Sequence, residues 1–178
     1  MAIARLKYLS SYLIGPIDAD PNLGKSWRDE MEPFLANLGV RVFNPLNKPV
    51  EGGSEVEQRE FRKQLLSEGR YDEFRKIMKR IRAIDLRFTD LADFLVVNLD
   101  IDILMCGTFE EICTANRQRK PIIIMCPQGK PNIPQWMFAQ LPHQLFFNNW
   151  EEVKSYLNNI NNDEVVDTVG DRWLFFTR

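Results

Sequence analysis

Three short apolar runs decide what this chain can fold into. Residues 94–99 read FLVVNL, residues 121–125 read PIIIM, and residues 8–14 read YLSSYLI. Apolar side chains at successive positions of a short run need cover on both faces, which is how a central strand of a parallel sheet reads. Gly15-Pro16 stops the earliest run and Asn44-Pro45 stops a further short one at 40–43. Between the runs lie segments of helical period. In 24–38, Trp27, Met31, Phe34, Leu35 and Leu38 recur at i, i+4, i+7, i+8 and i+11, one apolar face, and Gly39 caps it. Residues 107–119 and 150–160 also read as helices, and 144–147 as a fifth strand. Strand alternating with helix predicts an α/β fold: a flavodoxin-like doubly wound parallel sheet of five strands with helices on both faces.

The length, 178 residues, suits a single domain over 1–178. Residues 51–82 are densely charged and start at a Gly-Gly pair. They read as a helical insertion, in one or two helices broken at Gly69, more exposed than the rest and leading into a helical stretch at 84–91. Residues 127–142 read as a Pro-rich loop. The tail ends in an aromatic, strand-like piece at 173–177.

Several classes of function are excluded by composition. A net charge of −2 gives no basic footprint for nucleic acid. No apolar run approaches ~18 residues, so no membrane span is expected. The start, MAIARLKYLS, has no signal-peptide pattern. Cys106, Cys113 and Cys126 lack a C-x-x-C spacing and read as reduced thiols, so the expected location is the cytoplasm. One histidine, His143, leaves little material for a metal centre or a histidine triad, and no cofactor or metal is expected. Chemistry, if present, falls to carboxylates.

Ligands of doubly wound sheets bind beyond the carboxyl ends of the strands, at the switch point. That rule points to Gly15, Pro16 and Asp18 after the first strand, and to Asp100 and Asp102 after the third. It also points to Gly107 and Thr108 at the next helix start. Asp20 shares the first loop. Each of these acids also suits a plain loop or helix start. Two adjacent glutamates, Glu110 and Glu111, follow Gly107-Thr108. Glu110 reads as the outward member. Glu111 precedes Ile112 and the small residues Cys113, Thr114 and Ala115, a face that packs closely on the sheet. The helix N-terminus is expected to keep Glu111 ionised. A fixed carboxylate there can attack an electrophilic sugar carbon while a second carboxyl group protonates the leaving group, the retaining logic of glycosidic cleavage.

Three stretches in order, YLIGP (12–16), DLRFTDLADFLVV (85–97) and GTFEEICTANRQRKP (107–121), resemble the nucleoside 2-deoxyribosyltransferase family. The resemblance implies that Glu111 is the nucleophile, that Tyr12 orients it, and that Asp85 handles the base. By residue reading alone, Tyr12 also suits a buried strand tyrosine and Asp85 a surface acid near a helix end. There are departures from the family pattern. Met105 stands where an acid is common, so Asp100 or Asp102 would replace it in holding the sugar 5′ side, and Cys113 replaces a small glycine. The resemblance further implies a homo-oligomer that binds a nucleoside or nucleotide and a free base.

The first expectation is transfer of a deoxyribosyl group between bases. A second is hydrolysis of a nucleoside 5′-monophosphate, although Asp18 and Asp20 would repel a phosphate. A third is a non-catalytic nucleoside-binding module.

Overall fold

The computed structural model describes residues 4–48, 58–162 and 172–173. Five strands form one sheet: β1 Ser10–Ile14, β2 Arg41–Phe43, β3 Phe94–Asn98, β4 Ile122–Met125 and β5 Phe146–Phe147. Their order is β2-β1-β3-β4-β5, and every neighbouring pair is parallel. The expected α/β doubly wound fold is therefore observed. Helices α1 Lys25–Asn37, α2 Arg59–Ser67, α3 Tyr71–Leu91, α4 Cys106–Arg117, α5 Gln135–Gln140 and α6 Trp150–Asn161 surround the sheet.

The strands' period of two divides the core. Leu13, Val96 and Ile123 face α1 and α6, joining Trp27, Met31, Leu35, Val153 and Leu157. Tyr12, Leu95, Val97, Ile122 and Ile124 face the other way, joining Ile112 and Ala115 of α4 and Met137 of α5. All residues of β3 and β4 are buried, as apolar runs without alternation require. The chain leaves β1 for β2 on one side and returns across it to β3 on the other. The switch point thus lies between the ends of β1 and β3.

Several local expectations change in the structure. The charged segment forms α2 and α3 with the break at Gly69, whose φ is +70°; residues 51–57 lie outside the described part. Its second half is mostly exposed, and Ile81 is buried; the helix runs on without a break through the 84–91 stretch, where Thr89 is buried. The proline-rich stretch contains α5, which begins directly after Pro134, where a missing N–H costs nothing. The fifth strand is shortened to two residues, because Pro142 opens a 3₁₀ turn over His143–Leu145. Of the aromatic tail, Trp173 is described. It is buried against Phe94 and its Nε1 donates to Tyr156 Oη at 2.7 Å. Residues 174–177 of the expected strand lie outside the described part.

Candidate active site

Tyr12 stands on β1 beside the switch point, and Phe88 of α3 packs on it edge-on at 5.5 Å between ring centroids. Phe88 is itself stacked on Phe43 of β2 at 5.1 Å. These contacts hold the phenol in place. Its hydroxyl donates to Glu111 Oε1 at 2.7 Å. Glu111 sits in the second turn of α4 and is 8% exposed. The small face of α4 behind it, with Ala115 fully buried, lets the helix lie close on the sheet. Glu110, one residue away, turns outward and forms a two-pronged ion pair with Arg82 on the surface.

Asp85 projects from α3 toward the same place. Its Oδ1 accepts from Lys48 Nζ at 2.6 Å, and the lysine side chain has no exposure. A cavity of about 220 Å³ is lined by Tyr12, Gly15, Pro16, Asp18, Asp85, Gly107, Thr108 and Glu111, with Arg28, Met78, Ile81 and Met105. A second, more apolar hollow of about 370 Å³ opens on the other side of Asp85 and Glu111, between α3 and the start of α4. Eight of the ten residues singled out in the sequence therefore converge.

Asp100 and Asp102 do not line this cavity. Both carboxylates accept from the Gln128 amide, at 2.6 and 2.8 Å, which holds them on the β4–α5 side of the loop. The wall position where the family pattern favours an acid is filled by the buried, apolar Met105.

The loop after β1 is shaped by Arg28 of α1. This side chain is fully buried and donates to the carbonyls of Gly24 and Gly15, each at 3.0 Å. Gly24 takes φ +62°, and a Cβ there would collide with the Arg28 guanidinium and the Pro16 carbonyl. That close approach, together with the left-handed backbone, requires glycine. Asp18 forms an ion pair with the nearly buried Arg62 of α2, and Arg59 donates to the Asp18 carbonyl. Lys48, Arg59 and Arg62 escaped the sequence reading. Arg59 and Arg62 stand in a charged run of the kind that is ordinarily solvated, and Lys48 stands alone among polar and apolar residues.

Glu111 is not kept ionised as expected. Burial pushes its carboxyl up to about 8, and the negative charge of Asp85 adds to this; the Tyr12 hydrogen bond, Lys48 and Arg28 oppose it. A helix N-terminus contributes only ~0.3–1 kcal/mol, and removal of a carboxylate from water outweighs it. Burial and the Glu111 charge likewise push the Tyr12 phenol well above its ordinary value, so it stays a donor.

A pH dependence of stability follows. The unfolded chain releases the Glu111 proton near 4.5, the native protein near 8. Between these values the native state holds the extra proton, so stability from this group is full below about pH 4.5 and lost as pH rises toward 8. The slope is about 1.4 kcal/mol per pH unit. Glu111→Gln removes it. In urea unfolding, the stability of the variant relative to the parent should grow from pH 5 to pH 8; a constant difference contradicts the buried, protonated carboxyl.

No protein-family model matches the chain, and no curated protein matches its sequence. Solved structures do match. The 2-deoxyribosyltransferase of the psychrotolerant bacterium Bacillus psychrosaccharolyticus superposes with a TM-score of 0.53 at 23% identity, over 83% of this chain and 91% of that one. A 2-desoxiribosyltransferase from Leishmania mexicana gives 0.46 at 15% identity, over 66% and 64%. A Clostridium botulinum CMP N-glycosidase gives 0.47 at 16%, over 84% and 98%. The first of these likenesses establishes the shared fold.

Proposed function

We propose that the chain cleaves the N-glycosidic bond of a 2′-deoxynucleoside and passes the deoxyribosyl group to another base through a glycosyl-enzyme intermediate on Glu111. The observation that carries this reading is the 2.7 Å bond from Tyr12 to Glu111, at a cavity that Asp85 also lines. The sequence motifs and the fold shared with a solved 2-deoxyribosyltransferase support it.

Each group has a role in that reaction. Ionised Glu111 attacks C1′ from one face of the sugar. The C1′–N electron pair leaves with the base, and the base takes a proton from Asp85. One proton transfer, from Glu111 to Asp85 as substrate binds, readies both groups. The incoming base then attacks C1′, displaces Glu111 and returns its proton to Asp85. Tyr12 keeps one Glu111 oxygen bonded so that the other is aimed. Proximity of this kind turns an encounter between molecules into a step within one complex.

Asp18 favours keeping a second reading, hydrolysis of a nucleoside 5′-monophosphate. Its charge is met by Arg62, and the Asp20 carboxylate accepts from the Asn22 backbone at 2.7 Å. The repulsion that two bare acids would exert on a phosphate is thereby reduced.

The test is incubation with a panel of nucleosides and monophosphates, with and without free bases, followed by chromatography. Base exchange on 2′-deoxynucleosides is the expected result. Base release from monophosphates without an acceptor selects the second reading, and no base release from any member of the panel contradicts both. Turnover is also expected to persist in EDTA, because a transition-metal site needs a histidine or cysteine set that the sequence does not space for one. Loss on chelation, restored by a divalent ion, contradicts this.

A further inference from the structure

Lys48 stands at the end of a short turn built for it. Asn44 follows β2 and accepts from Leu46 N at 3.0 Å, while its amide donates to Glu32 of α1 at 2.7 Å. Pro45–Asn47 then makes one 3₁₀ turn, closed by Lys48 N donating to the Pro45 carbonyl at 3.3 Å. The strand beneath is paired with β1 next to Tyr12. The lysine is thus delivered to the back of Asp85, 37 residues away in sequence, and its ammonium is withdrawn from water. A buried ammonium is costly unless it is paired. A surface ion pair needs no such placement. Lys48 does not line the cavity, whereas Asp85 does.

We propose that Lys48 is a positioning residue for this site, fixing the Asp85 carboxyl and supplying a buried positive charge that faces the Asp85–Glu111 pair. The proposal rests on the reading of Glu111 as nucleophile. Four groups from four elements face Glu111: Tyr12 of β1, Arg28 of α1, Asp85 of α3, and Lys48 after β2. Tyr12 donates a hydrogen bond, Asp85 opposes ionisation, and Lys48 and Arg28 favour it. Arg28 is already committed to the loop carbonyls of Gly15 and Gly24. Lys48 is the cation in direct contact with the second carboxylate. It tethers one oxygen of Asp85, which restricts the carboxyl group to rotamers that keep the other oxygen available.

Lys48→Met keeps the length of the side chain and removes its charge, Lys48→Gln keeps a donor, and Lys48→Arg keeps the charge. Carboxyl-detected NMR of Glu111 reads the effect without any turnover. The titration should move upward by about one unit or more in the Met and Gln variants and stay near its parent value in the Arg variant. Turnover of the 2′-deoxynucleoside should fall ~10²-fold at pH 7 in Lys48→Met, mainly in kcat. In an Asp85→Asn background the same substitution should cost little more. An unmoved Glu111 titration, with an equal cost of Lys48→Met in both backgrounds, overturns the proposal. Should the parent release no base from any substrate, the functional reading fails, and the titration alone still decides the role of Lys48.

Discussion

Glu111→Ala is expected to lose base exchange by several powers of ten, while Glu110→Ala stays within a few-fold of the parent. The two residues are neighbours in sequence and differ in everything else. Glu111 is buried and held by Tyr12. Glu110 lies outside in an ion pair with Arg82, and surface pairs contribute about 0–1 kcal/mol. Removing a covalent nucleophile takes away a whole reaction path, and each ~1.4 kcal/mol of barrier is a factor of ten in rate. Glu111→Ala should fold, because it leaves no partner charge stranded: Tyr12 loses one acceptor. Circular dichroism and steady-state rates on both variants check this. Comparable loss in the two, with folding intact, removes Glu111 from the role assigned to it.

The second large effect is expected at Asp85. A departing purine or pyrimidine is a poor leaving group as an anion, and a general acid is worth ~10²–10⁴ in rate. Asp85→Asn keeps the shape, leaves Lys48 an oxygen to bond, and cannot give the proton. Transfer from natural nucleosides should slow by that factor. A deoxyribosyl donor carrying an activated phenol needs no protonation, so it should slow far less. Equal loss on both donors means that Asp85 only positions the base. The substitution also removes a negative charge beside Glu111, so the Glu111 titration itself should move downward, since the Asp85 charge raises that carboxyl.

What could be read from the sequence, and what could not, follows from the range of the interactions. The runs at β3 and β4 announced themselves because both faces of a central parallel strand must be apolar, a demand met within a few residues. Glu111 was distinguishable from Glu110 because the small residues after it mark the face that packs. Asp18, Gly15, Gly107 and Thr108 followed from topology alone, since a switch point gathers whatever ends the strands there. Helix α5 was hidden by the proline density of its surroundings, although a proline ahead of a helix is compatible with it. Lys48 and Arg62 carried no signal. Their partners, Asp85 and Asp18, lie 37 and 44 residues away, and a lysine bound inside reads in sequence like one left in water. Asp100 and Asp102 misled for the matching reason: nothing local showed that Gln128, more than 25 residues on, would hold both. The ionisation of Glu111 was misjudged because a helix end is visible in sequence and the depth of burial is not.

The proposed reaction depends on a covalent bond between Glu111 and the sugar. The decisive measurement is mass spectrometry of the protein quenched in acid during reaction with a 2′-deoxynucleoside and no acceptor base, followed by peptide mapping. The expected result is a single deoxyribosyl adduct on the peptide containing Glu111, formed with release of one equivalent of base and discharged when a free base is added. Base exchange without any adduct at early times, or an adduct carried by another residue, would contradict it.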